Sequence, residues 1–375
     1  MSNPAVTVLM TVYNGSRYLR SSLEAVLEQT FRDFEFLIID DCSSDDSVAV
    51  VRSYPDPRIR LICNEKNLGQ TASLNKGLRF AHAPWVARMD ADDLAFPTWL
   101  ARQYEFAQRH PEHAAVSAQA VVIDQDNRIK KTLEAGVSPE AVMVKALTAS
   151  PVNHVGSLMR KDTVLAAGGY DERYKIAADY DLWCRLLAQG EKLISTPDTL
   201  VAIRFHLSSI SIRESKSVMY FELVEVIRRN FERLSGHPID AVEANLVASL
   251  FYDLAALSDA EFISARKILA EGYQGLSSKA GLKAEALSAA VELALRKLDV
   301  KRIFLCIEAG TVEPVRQIAR EQIGAKGALN LFSLLWLLSF LGPGGLRTVP
   351  AVYERTVQKR ARQRAAGDTN RLKLG

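Results

Sequence analysis

The chain has 375 residues, of which 48% are hydrophobic and 24% charged. That is the balance of a folded globular protein, and it excludes a disordered chain, a collagen-like repeat and a coiled coil. With 47 basic against 44 acidic residues the net charge is only +3, which argues against nucleic-acid binding by the whole chain.

The first half alternates strand and helix. Val6–Val12 (VTVLMTV) reads as a buried strand, and Arg17–Gln29 follows with Leu19, Leu23, Val26 and Leu27 at helical spacing. Strands are expected at Phe34–Ile39, Arg58–Cys63 and Trp85–Met89. Helices are expected at Asp45–Arg52, Thr71–Ala81 and Pro97–Arg109. This rhythm predicts an α/β domain with a mainly parallel sheet covered by helices on both faces. From Ala114 to Phe205 the rhythm breaks. Strand-like pieces (Ala114–Asp124, Gly156–Met159, Val201–Phe205) mix with helical ones (Pro139–Leu147, Asp179–Ala188), which predicts a mixed-sheet extension. From about Ser215 the pattern is helical, over Val218–Leu234, Ala241–Leu257, Asp259–Leu269, Lys283–Leu298 and Val312–Ile323. The expected divisions are residues 1–214, a helical domain 215–325, and an apolar helix with a basic tail, 326–375.

Cys42, Cys63, Cys184 and Cys306 are scattered and show no zinc-type spacing, so they read as small buried apolar residues in a reducing compartment. A strand begins almost at once and no signal-like segment precedes it, so a cytoplasmic protein is expected.

In an open parallel sheet ligands bind beyond the carboxyl ends of the strands. Four loops meet there. They carry Thr11-Val12-Tyr13-Asn14-Gly15, Asp40-Asp41-Cys42-Ser43-Ser44-Asp45, Asn64-Glu65-Lys66-Asn67-Leu68-Gly69 and Asp90-Ala91-Asp92-Asp93. Ser43, Ser44 and Asp45 also suit helix caps, and Asn67 and Gly69 suit a turn. Asp40 and Asp41 are harder to explain without a ligand, because adjacent carboxylates ending an apolar strand cost desolvation. Asp90 and Asp92 follow the apolar strand WVARM, and their mutual repulsion suits a divalent cation such as Mg²⁺ or Mn²⁺ shared with a phosphate. No GxGxxG follows the first strand and no GxxxxGK[ST] occurs, so dinucleotide and P-loop readings lose support. A second acidic cluster, Asp179-Tyr180-Asp181-Leu182-Trp183, opens an apolar helix. Asp181 suits a cap, and Asp179 suits a general base. Arg204-Phe205-His206 ends the last strand, with His206 either structural or a contact to metal or pyrophosphate. Lys76, Arg79 and Arg88 fall near the cleft or on solvated surface.

The series Thr11-Val12-Tyr13-Asn14, Asp40-Asp41-Cys42-Ser43, Asn67-Leu68-Gly69, Asn75-Lys76-Gly77, Asp90-Ala91-Asp92-Asp93 and Asp179-Tyr180-Asp181-Leu182-Trp183 resembles glycosyltransferase family 2 over about residues 5–210. The resemblance implies the A-type glycosyltransferase fold, followed here by an all-α C-terminal region. It implies inverting transfer of a sugar from a nucleotide-diphosphate donor, UDP-linked by default. It places Thr11, Tyr13, Asn14, Asp41, Asn67, Lys76, Asp90 and Ala91 at the donor, with Asp41 on the uracil edge and Asp90 against the ribose. Asp92 and His206 fall at Mn²⁺ or Mg²⁺, Asp179 is the general base, and His154, Gly169, Tyr170, Asp181 and Trp183 lie on the acceptor side. Ala178 stands where the family usually has Glu, which puts acceptor orientation, the pKa of Asp179, or activity itself in question. The Gln-x-x-Arg-Trp motif of processive members is missing, so addition of one sugar is expected. Two rivals remain, a weakly active or inactive nucleotide-sugar binding or scaffold protein and a nucleotidyltransferase.

Leu329–Leu341 (LNLFSLLWLLSFL) is the most apolar run, 13 residues long. As a helix it would span roughly 20 Å, short of the ~30 Å hydrocarbon core. Arg347–Gly375 then carries eight Lys/Arg and two acidic residues, +6, which leaves the rest of the chain at −3. With Lys359, Arg360, Arg362 and Arg364 clustered, this end suits peripheral contact with anionic lipid at the inner membrane face and a glycan or lipid-linked glycan acceptor. A buried helix with a solvated tail is the alternative.

Overall fold

The computed structural model describes residues 4–133, 135–206, 216–276 and 282–308. The chain begins β1 (Val6–Val12), α1 (Ser16–Leu27), β2 (Phe34–Asp40), α2 (Ser47–Arg52), β3 (Ile59–Cys63), α3 (Gln70–Phe80) and β4 (Trp85–Asp90). β5 (Leu94–Ala95), α4 (Trp99–Arg109), β6 (His113–Ile123), β7 (Ile129–Leu133) and α5 (Pro139–Ala146) follow, then β8 (Leu158–Arg160), α6 (Lys161–Ala166), α7 (Ala178–Ala188) and β9 (Lys192–Arg204). The sheet order is β3-β2-β1-β4-β8-β6-β9-β5, with β7 beside β6. Strands β3, β2, β1 and β4 are parallel, and β8 runs against both β4 and β6.

Every residue of β1 is buried, as expected for a strand covered on both faces. Val6, Val8, Met10 and Val12 join one core with Leu19, Leu23 and Val26 of α1 and Trp99 and Leu100 of α4. On the opposite face Leu9 meets α3, where a Cβ on Gly77 would collide with the Leu9 side chain. Gly77→Ala therefore sets a helix-propensity gain of about 1 kcal/mol against overpacking of about 1–3 kcal/mol. These leave a net loss of about 0–2 kcal/mol, and the close approach of the added Cβ to Leu9 places it toward the upper end, read as a lower urea midpoint. An unchanged midpoint would show that α3 can slide off β1 without penalty.

The expected parallel sheet with helices on both faces is present, and so is its mixed extension. Four features differ from the sequence reading. β9 begins at Lys192 rather than Val201, and β5, β7 and α6 were not expected. Pro197 and Asp198 hide the first half of β9, and its pairing with β6 shifts register there, from Ser117↔Ser195 to Gln119↔Thr199. Cys184 and Cys306 are buried, but Cys42 and Cys63 are exposed because they sit in or beside the loops at the strand ends.

The described residues after 215 are helical, in α8 (Lys216–Asn230), a π turn (Phe231–Ser235), α9 (Ala241–Tyr252), α10 (Asp259–Leu276) and α11 (Ala284–Glu308). By their contacts, the described residues of 4–248 with those of 267–291 form one compact unit. Residues 249–266 with the described residues 292–308 form a second. Within the second, the buried Asp299 accepts two hydrogen bonds from Arg266, at 2.7 and 3.0 Å. No helix among the described residues is long and apolar enough to cross a membrane. The helix expected at Val312–Ile323, the apolar run Leu329–Leu341 and the basic tail lie outside the described residues.

Candidate active site

β1 is flanked by β2 on one side and β4 on the other, so the chain leaves it in opposite directions. That switch point opens a crevice at the carboxyl ends of the strands. Thr11, buried, pairs in register with Ile39 and with Asp90. Tyr13 stands half exposed at the rim. Asn14 takes a left-handed φ of 49°. Its N–H donates to Ser43 Oγ at 3.0 Å, and its Oδ1 accepts from Ser44 N at 2.8 Å. Gly15 N donates to Ser47 Oγ and Ser16 N to Asp45 Oδ2, both at 3.0 Å. Asp45 thus caps α1 from a different loop. Burial alone would raise its pKa, but the hydrogen bonds from Ser47 and Ser16 outweigh it and hold the carboxyl below its usual range.

Asp41 is buried and organises the third loop. Its Oδ1 accepts from Asn64 Nδ2 (2.7 Å) and Leu68 N (2.9 Å), and its Oδ2 accepts from Gly69 N (2.8 Å). Gly69 has φ +88°, where a side chain is strained. Lys76 Nζ donates to Asn64 Oδ1 at 2.7 Å, and Asn67 Nδ2 reaches the Asp41 carbonyl at 3.4 Å. A carboxylate offers about four acceptor positions, so Asp41 keeps about one for a ligand.

The acidic loop lies across the crevice. Carboxylate oxygens of Asp90, Asp92 and Asp93 fall within 4.8 Å of one another. Asp90 Oδ1 accepts from Arg88 Nη2 (2.5 Å) and Gln70 Nε2 (3.2 Å). Asp93 is buried and accepts from Arg204 N at 2.7 Å, so it braces the loop. Asp92 is the more open, its side chain 31% exposed, and His206 Nε2 lies 2.8 Å from its Oδ2. Ala91 packs beside Gly15. Burial, and then the charge of Asp90, pushes the Asp92 carboxyl above its usual range. Burial with the charges of Asp92 and Asp90 pushes Asp93 well above it. A divalent cation relieves such crowding, and three carboxylates with an imidazole suit Mn²⁺ or, mostly through oxygens, Mg²⁺. The donor chemistry therefore fits the expected ion.

Arg88 ties this loop to the other side of the site. It is 1% exposed, and its Nε and Nη1 find no hydrogen-bond partner. It is ion-paired to Asp90, and its charge also acts on Tyr170, Asp93, His154 and Asp179. Asp179 sits in the first turn of α7 and accepts from Ser150 Oγ at 3.3 Å. Burial raises its pKa, more than Tyr180 N–H, Ser150 and Arg88 lower it. His154 Nε2 lies 2.8 Å from Tyr170 Oη. Burial and then the charge of Arg88 hold His154 well below its usual pKa, so it is neutral. Asn75 clamps the Tyr170 backbone at N and O, both at 2.8 Å. Gly169 (φ +67°) allows that approach, because a Cβ there would lie 2.6 Å from Asn75 Oδ1.

Two acceptor-side expectations are corrected. Asp181 is fully buried, with its oxygens paired to Arg185 Nε (2.6 Å) and Arg233 Nη1 (3.0 Å). It follows Asp179 by two positions, which turns it to the far side of the helix. Trp183 is also fully buried and backs the His154 ring edge-on at 6.0 Å, one turn below Asp179. Both support the site from behind. Two contributors, Ser150 and Glu222, were not singled out from sequence, and a third, Arg204, was named there only as part of the cluster with His206. Ser150 touches Asp179. Arg204 donates from Nε to the Asp92 carbonyl at 2.9 Å. Glu222 of α8 accepts from Lys175, Ile176 and Ala177 N–H at 2.9, 2.9 and 3.0 Å, just ahead of α7. Position 178 thus lacks a carboxylate, but one arrives from 44 residues downstream. Arg88 offered a signal, a lone charge inside an apolar strand, whereas Glu222 offered none.

Comparison with known proteins was made against this geometry. Residues 7–165 match the model of glycosyl transferase family 2. The amylovoran biosynthesis glycosyltransferase AmsE of Erwinia amylovora is 32% identical over 203 residues, 53% of this chain and 75% of AmsE. The succinoglycan biosynthesis protein ExoO of Rhizobium meliloti is 28% identical over 218 residues, 56% of this chain and 63% of ExoO. Among solved structures, TarS of S. aureus (residues 1–349) superposes with a TM-score of 0.51 at 16% identity, over 86% of this chain and 92% of that one. That likeness shows the fold, the A-type glycosyltransferase fold expected from the motifs.

Proposed function

Since this chain belongs to glycosyltransferase family 2, we propose that it moves a single sugar, with inversion, from a nucleotide-diphosphate sugar to a hydroxyl of a glycan or lipid-linked glycan. A UDP-sugar is the favoured donor, and relatives named for amylovoran and succinoglycan biosynthesis support a role in building a polysaccharide. The observation that carries the reading is the Asp92–His206 pair on the acidic loop, whose Asp90 is ion-paired to buried Arg88, the cation whose charge also acts on Asp179.

Thr11, Tyr13, Asn14 and Asn67 line the nucleotide end, and Asp41 offers its remaining acceptor position to a base N–H. Asp90, fixed by Arg88 and Gln70, stands against the ribose. Asp92 and His206 would hold Mn²⁺ or Mg²⁺, which when bound neutralises charge on the leaving diphosphate. Asp179 accepts the proton of the acceptor hydroxyl as that oxygen bonds to the anomeric carbon. The bond from that carbon to the diphosphate oxygen breaks, and its electron pair leaves with the diphosphate. His154, Gly169 and Tyr170 shape the acceptor side, and holding both substrates in line supplies much of the rate. Residues 1–214 carry this chemistry. The apolar run and basic cluster of the segment 326–375 suit contact with anionic membrane at its cytoplasmic face.

Calorimetric titration with UDP, dTDP and GDP, with and without Mn²⁺, tests the donor site. One nucleotide is expected to bind, and more tightly with Mn²⁺. A folded protein that binds none of them sinks the proposal. Binding without any transfer of sugar would instead favour the binding-protein reading that Ala178 raises.

A further inference from the structure

A second cluster of metal-ligating groups lies at the other edge of the sheet. α4 ends at Arg109 and β6 starts at His113, joined by His110, Pro111 and Glu112. β6 runs parallel to β4, since β8 is antiparallel to both. The first residue of β6 therefore lies at the edge opposite Asp90, the last residue of β4, well away from the crevice.

His110 Nδ1 and His113 Nδ1 each lie 3.5 Å from Glu112 Oε1, and one ligand atom from each of the three residues falls within 4.8 Å of the others. A separation of 3.5 Å is long for a hydrogen bond. It is close to the edge of a tetrahedron around zinc, about 3.4 Å for bonds of about 2.0–2.1 Å. His113 is only 6% exposed, and its buried Nδ1 makes no hydrogen bond. A buried ring nitrogen that faces a carboxylate and a second imidazole, yet is hydrogen-bonded to neither, is placed as a metal ligand would be.

The turn is held in shape for this. Phe106 stacks on His110 with ring centres 4.4 Å apart. Arg160 donates to the carbonyls of His113 (3.2 Å) and Pro111 (2.5 Å). The side chains of His110 and Glu112 are 46% and 45% exposed, which leaves a path for an ion and room for water as a fourth ligand.

We propose that His110, Glu112 and His113 form a three-ligand site for a divalent transition-metal ion of the zinc class, clasping the end of α4 to the start of β6. Two imidazoles select such ions over Mg²⁺ and Mn²⁺, which favour the oxygen-rich acidic loop. The inference does not depend on the reaction proposed above.

The test is calorimetric titration of the metal-free full chain with Zn²⁺ in an Asp92→Asn background, which weakens the acidic loop as a competitor. Co²⁺ absorption serves as a second readout of nitrogen coordination. His110→Ala and Glu112→Gln alter half-exposed side chains, so neither variant should disturb the fold. One Zn²⁺ per chain is expected, with affinity reduced by about 100-fold or more in either variant, above the loss from an outer-shell partner. Zn²⁺ should raise the melting temperature of the Asp92→Asn protein and not that of the His110→Ala derivative. Equal Zn²⁺ affinity in all three proteins, or no uptake by any, overturns the assignment and leaves only a surface ion-pair cluster.

Discussion

Asp179→Asn is expected to lower kcat by about 10³-fold, within the range by which a general base contributes, while nucleotide binding stays at the wild-type level. Asn keeps the size of the side chain and can still accept from Ser150 Oγ, so the loss reports the missing base rather than a collapsed loop. The pH profile carries the sign. Asp179 works only when ionised, and burial raises its pKa. Turnover should therefore fall as pH drops through that raised value, and rise to a plateau above it. The residual activity of Asp179→Asn should lack this acid limb. Wild-type turnover in the variant would remove Asp179 from the mechanism, and an unchanged acid limb would assign that limb to another group.

Asp92→Asn should act on the donor side instead. We expect Mn²⁺-dependent tightening of nucleotide binding to disappear and turnover to fall by about 10³-fold, because several kcal/mol of charge stabilisation on the leaving group is lost. Metal-free nucleotide binding should hardly change. Asp93→Asn is the informative control. Asp93 is 2% exposed and its Oδ1 accepts from Arg204 N, a bond that an amide oxygen can keep. It should cost far less turnover than Asp92→Asn, since burial, with the charges of Asp92 and Asp90, already favours the uncharged form of Asp93. Equal losses at positions 92 and 93 would mean that the whole acidic loop, rather than Asp92 with His206, holds the ion.

Much of the site was legible because its parts are local. A strand such as Val6–Val12, buried on both faces, is apolar at five of its seven positions, and the polar residues that follow it then stand out. Asp90-Ala91-Asp92 is read from three adjacent letters. Other parts were not legible because they depend on distant partners. Asp181 and Asp179 look alike in sequence, and only the packing of Arg185 and Arg233 turns one into a buried brace. Arg88 becomes the hub of the site only when β4 meets β8 and α7 brings Asp179 to it. The first half of β9 looks like a loop, and it is a strand because β6 accommodates the bulge at Pro197.

The sequence by itself determined the βα rhythm, the position of the crevice at the strand ends and the family, because each follows from local hydrophobic period and adjacent polar residues. Only the tertiary structure decided which acids are open and which are spent. Asp41 gives three acceptor positions to the loop after β3, and Glu222 reaches the start of α7 from 44 residues away. Those assignments depend on which donors the fold brings within about 3 Å of each carboxylate, and hydrogen bonding at that range is set by packing rather than by spacing along the chain.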